Sequence, residues 1–156
     1  MARITTDPEP PEPLAPARVL LVEDHPALRH AVAELISTDR ALLVPVAARS
    51  AEEALARFRE ADPDLAVVDI SLPGMDGLEL IRRLRRLESE LPIVVLSSHS
   101  VEGWEAPALE AGANAYLLKS RAPSDLLPVI RETLAEVGSR LPAGAPGSSA
   151  GHATPG

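Results

Sequence analysis

The stretch Asp64-Leu65-Ala66-Val67-Val68-Asp69-Ile70-Ser71-Leu72-Pro73-Gly74-Met75-Asp76-Gly77-Leu78 decides the fold of this chain. Residues 65–68 form an unbroken apolar run that ends in a carboxylate. A run this short, rich in valine and followed by turn residues, reads as a strand buried on both faces. Asp76 can cap a helix that reaches about Leu87, with Leu80, Leu84 and Leu87 on one face.

The same alternation extends in both directions. Val19-Leu20-Leu21-Val22 reads as a first strand, and residues 26–37 continue with Leu28, Val32, Leu35 and Ile36 at helical spacing. Residues 42–47 read as a second strand, and Pro45 inside it places that strand at a sheet edge. Ser50-Ala51-Glu52-Glu53 has capping-box spacing and opens a helix to about Glu60. Ile93-Val94-Val95-Leu96 is a fourth strand and residues 115–118 a short fifth. Pro123 suits the first residue of a last helix carrying Leu126, Leu127, Ile130, Leu134 and Val137. Five β-α repeats built on continuous apolar strands predict an α/β doubly wound parallel sheet, a flavodoxin-like (βα)5 three-layer sandwich of order 2-1-3-4-5. In such sheets ligands bind outside the carboxyl ends of the strands.

Composition narrows the function. The chain has 156 residues and a formal net charge of −8, with no cysteine. The acid excess argues against non-specific nucleic-acid binding. The lack of cysteine excludes disulfides and thiolate metal sites. No apolar run is long enough to span a membrane, and the start resembles no secretory leader, so a cytoplasmic protein is expected. Residues 1–17 are acidic and Pro-rich, and residues 138–156 hold Pro, Ala, Gly and Ser with almost no large apolar side chain. Both read as disordered tails around a domain spanning 18–137.

The strand ends gather the chemistry. Glu23-Asp24 ends the first strand, Asp69 the third, Ser97 the fourth and Lys119 the fifth. Three carboxylates at one rim repel, and a divalent cation relieves that. Oxygen ligands without His or Cys point to Mg²⁺. A carboxylate can act as nucleophile toward phosphorus, with an ammonium and a metal stabilising the transferring oxygens. Each residue also has a plainer reading. Glu23-Asp24 can cap a helix, Asp69 can be a turn residue, Lys119 a surface lysine and Tyr116 ordinary packing. Ser98 competes with Ser97, although alternation along the strand favours Ser97. His25 and His99 flank the pocket, and loop histidines are more often solvated than ligating. The arginines at 82, 83, 85 and 86 read as a solvated helix face.

Taken together, the motifs are similar to those of the response regulator receiver family, in the CheY-like superfamily. Leu20-Leu21-Val22-Glu23-Asp24-His25-Pro26 resembles its acidic pocket, and the stretch from Asp64 to Leu78 resembles its phosphoacceptor strand and loop. Val94-Val95-Leu96-Ser97-Ser98 resembles its hydroxyl switch strand, and Gly112 to Lys119 its aromatic switch and lysine. The details lean toward receivers of NarL/FixJ (LuxR-type) transcriptional regulators. The resemblance covers residues 18–137. It implies that Asp69 accepts a phosphoryl group from a histidine kinase. It implies that Asp24 and Asp69 bind Mg²⁺ directly, Glu23 through water, and Ser71 by its backbone carbonyl.

The resemblance further implies that Ser97 and Tyr116 switch the face made by the fourth helix, fifth strand and fifth helix (α4-β5-α5). That face would meet a downstream protein or a second copy. Alternatives are a phosphorelay intermediate passing the group to a histidine phosphotransfer protein, or the receiver part of a longer DNA-binding regulator. No DNA-binding element is visible in the sequence. A flavin or nucleotide site on the same fold is disfavoured by an acidic first loop without phosphate-cradling residues. A turnover enzyme is not expected, only slow self-dephosphorylation, which His99 could tune through the attacking water. The chain departs from the family's pattern at Ser120, where proline is common, and at Gly103 and Pro107. These last two predict a short or late-starting fourth helix, or a loop, and a divergent output face. Pro128 predicts a bend in the last helix.

Overall fold

The computed structural model describes residues 15–99 and 101–140. Of the expected tails, 1–17 and 138–156, residues 1–14 and 141–156 lie outside the described residues. Five strands, β1 (Ala17–Val22), β2 (Leu42–Ala48), β3 (Leu65–Asp69), β4 (Ile93–Ser97) and β5 (Ala115–Leu118), form one parallel sheet of order β2-β1-β3-β4-β5. This is the doubly wound sheet that the sequence predicts. Every residue of β3 and β4 is buried, as unbroken apolar runs require when helices cover both faces.

The period of two along each strand divides the core. Leu20, Val22, Ala66, Val68, Ile93 and Val95 point to one face. There they pack under α2 (Ala51–Ala56), α3 (Phe58–Ala61), α4 (Gly77–Leu87) and α5 (Val101–Ala111). Val19, Leu21, Leu65, Val67, Val94 and Leu96 point to the other, under α1 (Pro26–Ser37) and α6 (Ala122–Arg140). Burying such a side chain contributes about 1.5–3 kcal/mol. The aliphatic sheet therefore outweighs any single loop contact in holding the strand ends in place.

Local chemistry starts the helices. Pro26 opens α1, and His25 Nδ1 accepts from Leu28 N at 3.3 Å. Ser50 Oγ accepts from Glu53 N at 3.0 Å, while Glu53 reaches back to Arg49 N at 2.7 Å. Asp76 caps α4 through Glu79 N at 2.9 Å. At β2, two steps along β1 (Arg18 to Leu20) face three along its partner (Leu43 to Val46), an irregularity that coincides with Pro45. Proline has no ladder donor, so the sheet takes it at an edge and at a bulge.

The structure departs from several expectations. The single helix expected to end near Glu60 is two pieces, α2 and α3, divided at Arg57, so the helices expected as fourth and fifth are α5 and α6. The expected short or late-starting helix around Pro107 is an 11-residue helix that begins at Val101. A proline inside a helix costs about 3 kcal/mol, partly from the clash with the carbonyl four residues back. That residue is Gly103, which leaves helical geometry at φ +88°, a backbone open to glycine at little cost. The two helix breakers sit four apart and accommodate each other. Pro128, where a bend is expected, lies inside α6, whose 19 residues run from Ala122 to Arg140. At its ends the folded part exceeds the expected span, from Ala17 in β1 to Arg140 in α6.

Two arginines tie the periphery down. Arg85, half-buried, donates to the carbonyls of Ser89, Leu91 and Gly112 and to Asn114 Oδ1, joining α4 to the turns before β4 and β5. Arg131 on α6 grips Asp39 between α1 and β2, with Nε donating to Oδ2 at 2.7 Å. The Ala41 amide and this guanidinium hold the Asp39 carboxyl below the usual carboxylate range. A depressed folded pKa adds stability above the unfolded value, and acid removes that stability as pH falls through the folded value. Arg131→Met is therefore expected to lower the melting temperature at neutral pH. The deficit should shrink on acidification below the ordinary Asp value of 3.8, as followed by circular dichroism. A deficit independent of pH would show that the guanidinium acts only through packing.

Candidate functional site

Four strand ends lie side by side in the sheet, and the residues just beyond them converge. Lys119, one residue past β5, places Nζ 2.9 Å from Asp69 Oδ2 and 2.9 Å from Glu23 Oε1. Carboxylate oxygens of Glu23, Asp24 and Asp69 lie within 4.8 Å of one another. Glu23 and Asp69 are buried, at 1% and 2% exposed, whereas Asp24 is exposed. Two like charges at that separation repel by on the order of 3 kcal/mol at an effective dielectric near 20. One ammonium cannot offset three carboxylates.

The titration behaviour reflects this crowding. Burial pushes the Glu23 carboxyl above its usual range, against the pull of Lys119 and the His25 amide, and the Asp69 charge adds to the rise. For Lys119, burial works to lower the pKa, but the Asp69 and Glu23 carboxylates outweigh it and hold the ammonium above its ordinary value. Glu23 Oε2 accepts from His25 N at 3.1 Å. Oε1 is buried and accepts no well-aligned hydrogen bond, meeting the Lys119 charge alone. An orphaned buried carboxylate oxygen beside two further carboxylates, with no nitrogen or sulfur donor among them, fits a hard divalent cation. Among the described residues this is the cluster suited to hold a metal ion, and Glu23, Asp24 and Asp69 would supply its oxygens.

The loops around this rim are held by backbone contacts. Asp69 Oδ1 accepts from Ser71 N at 2.9 Å, so Asp69 fixes the start of its own loop. Gly77 packs against that strand end. A Cβ at this position would stand 2.4 Å from the Asp69 carbonyl oxygen and 2.6 Å from Ile70 Cα. Only glycine lets α4 begin this close to the end of β3. Ser97 is fully buried at the end of β4, and its Oγ accepts from His99 N at 3.0 Å, a role that does not use the hydroxyl proton. Ser98 is exposed. An open depression of about 380 Å³ is lined by Ser97, Ser98, Leu118, Lys119 and Ser120. Tyr116 is half-buried and donates its hydroxyl to the His99 carbonyl at 3.1 Å. The residues singled out from the sequence thus meet at one rim, with Tyr116 joined to it through the loop after β4.

The contacts of three side chains were not legible in the sequence. Arg29, on the first turns of α1, donates to the carbonyls of Glu23 at 2.9 Å and Asp24 at 3.3 Å and sets the course of the acidic loop. Glu52 Oε2 accepts from Met75 N at 3.1 Å and pins the loop between β3 and α4 to α2. His99 Nε2 lies 2.9 Å from Ser71 Oγ, joining the loops that leave β3 and β4. The first two side chains grip backbone atoms, which carry no residue-type signature.

Comparison with known proteins agrees with this geometry. Residues 19–131 match the response regulator receiver domain. The nitrate/nitrite response regulator protein NarL of Escherichia coli is 39% identical over 120 residues, covering 77% of this chain and 56% of that protein. The chain thus spans little more than half the length of this relative. A crystal structure of a two-component response regulator of the LuxR family from Aurantimonas has a TM-score of 0.74 at 35% identity, covering 78% of this chain and 87% of that one. A CheY-like receiver domain protein from Methanospirillum hungatei has a TM-score of 0.74 at 29% identity, covering 81% and 100%.

Gly77→Ala is expected to destabilise the fold by about 1–3 kcal/mol, because the atoms a methyl group would meet are backbone and cannot swing aside. Urea denaturation measures this. An unchanged midpoint would show that α4 shifts freely away from β3.

Proposed function

Because this chain belongs to the response regulator receiver domain family, we propose that it is the phosphoryl-accepting switch of a two-component system and that Asp69 is the acceptor. The observation that carries the proposal is the buried Asp69 carboxylate held 2.9 Å from the Lys119 ammonium beside two further carboxylates. Mg²⁺, held by Glu23, Asp24 and Asp69 with the Ser71 carbonyl, would neutralise charge on the transferring phosphoryl oxygens.

The chain's own residues carry the rest. An Asp69 carboxylate oxygen attacks phosphorus in a phosphohistidine of the partner kinase. The new O–P bond forms as the P–N bond breaks, and the imidazole leaves with that electron pair. Lys119 faces the developing charge with an ammonium that stays protonated, since its neighbours hold its pKa up. Ser97 has a hydroxyl proton to donate to a phosphoryl oxygen. Ser97 and Tyr116 meet at the His99 backbone, one at its N–H and one at its carbonyl, so a shift of the serine reaches the tyrosine through one residue. Their movement biases the surface of α5, β5 and α6 between two packings, and that surface meets a downstream protein or a second copy.

The chain acts as a phosphoacceptor with slow self-dephosphorylation and not as a turnover enzyme. The cytoplasm is its proposed location, in keeping with the absence, among the described residues, of any helix long and apolar enough to cross a membrane. A second reading, the receiver part of a longer transcriptional regulator, is favoured by the 56% coverage of NarL.

Incubation with Mg²⁺ and acetyl phosphate, then intact mass measurement, tests the reading. One added phosphoryl group is expected in the wild type and none in Asp69→Asn. Lys119→Met should slow uptake by roughly 10²-fold, the scale seen when one stabiliser of transition-state charge is removed. Uptake that survives Asp69→Asn would place the acceptor elsewhere. Mg²⁺ is also expected to raise the melting temperature of the wild type and to have little effect on Asp24→Asn. Equal shifts in both would remove Asp24 from the cation site.

A further inference from the structure

His99 makes four contacts with four different groups. Its backbone N–H donates to Ser97 Oγ, and its carbonyl accepts from Tyr116. Its Nε2 lies 2.9 Å from Ser71 Oγ. Its ring stacks on Trp104, with centroids 4.8 Å apart and planes 21° from parallel. The first two contacts use the backbone and belong to the Ser97–Tyr116 pair. The last two use the side chain, and they lead elsewhere. Ser71 is fixed to the acceptor, since its N–H holds Asp69 Oδ1 at 2.9 Å. Trp104 stands on the first turns of α5, 38% exposed.

We propose that the His99 ring and Trp104 form a second arm of the switch, carrying the state of the Asp69 pocket to the start of α5 independently of Tyr116. The inference rests on Asp69 being the phosphoacceptor. A phosphoryl group on Asp69 must be accommodated beside Ser71, whose N–H already holds that carboxylate. Displacing Ser71 re-aims its Oγ, and the His99 ring loses the contact that fixes its plane. Trp104 then loses its stacking partner.

The start of α5 is built to respond. Gly103, at φ +88°, has open space where a side chain would stand, so no other element packs against that side of it. Pro107 supplies no amide to the helix ladder, so the turn at Trp104 is tied less firmly than an ordinary one. Ala108, fully buried, anchors the helix just beyond. The hinge, the aromatic lever and the anchor therefore fall within residues 103–108. The helix breakers that depart from the family's pattern sit on either side of the tryptophan that the arm moves.

Hydrogen exchange across residues 104–111 tests this, with each sample's phosphorylated fraction set equal by intact mass. Tyr116→Phe cuts the hydroxyl contact and leaves the arm. His99→Phe keeps a ring against Trp104 but cuts the link to Ser71. Trp104→Leu keeps that link but removes the stack. Phosphorylation should change exchange in the wild type, and most of that change should persist in Tyr116→Phe. It should be lost in both His99→Phe and Trp104→Leu. A wild-type-sized change in either of the last two overturns the arm, as does a change abolished by Tyr116→Phe alone, or none in a phosphorylated wild type. A wild type that takes up no phosphoryl group is a separate result. It removes the acceptor role of Asp69, and this inference with it.

Discussion

The structure depends on holding three carboxylates against one ammonium at the rim of an apolar sheet. Glu23 and Asp69 are buried beside each other, with Lys119 at 2.9 Å from both. Such a cluster is costly, and it exists because β1 and β3 cannot move apart. Each is paired on both sides, and their apolar residues fill the cores on the two faces. The stability stored in the aliphatic layers is set against local repulsion at the strand ends. A site held in this way answers strongly to a change in its charge. Any charge added at the rim would alter the balance that fixes the loops.

The sheet was legible because burial on both faces writes an unbroken apolar run, and β1, β3 and β4 each carry one. Pro45 marked the edge correctly, since a proline lacks the donor that an interior strand needs. The rim was legible because charged residues directly after buried strands have one place to go. Ser97 could be told from Ser98 by alternation alone, and the structure buries the first and exposes the second.

What the sequence concealed is of two kinds. Arg29 and Glu52 act on backbone carbonyls and amides, so their partners have no identity to read. The start of α5 was misread for a different reason. Gly103 and Pro107 each count against a helix when scored singly, and only as a pair four residues apart do they become compatible. The break between α2 and α3 at Arg57 is similar. Propensity continues through it, and the arginine's ion pairs with Glu53 and Glu60 lie on either side of the interruption.

The irregularity at Pro45 has a consequence for how molecules of this protein meet. A flat outer strand invites a neighbour to add its own strand, and chains then grow into ribbons. Here β2 has no donor at Pro45, and one extra residue relative to β1 breaks its regular course. The opposite border, β5, is only four residues long. Neither border is a long, regular template for extending the sheet. Helical surfaces are free of this constraint, since their side chains can be selected for or against a partner one residue at a time.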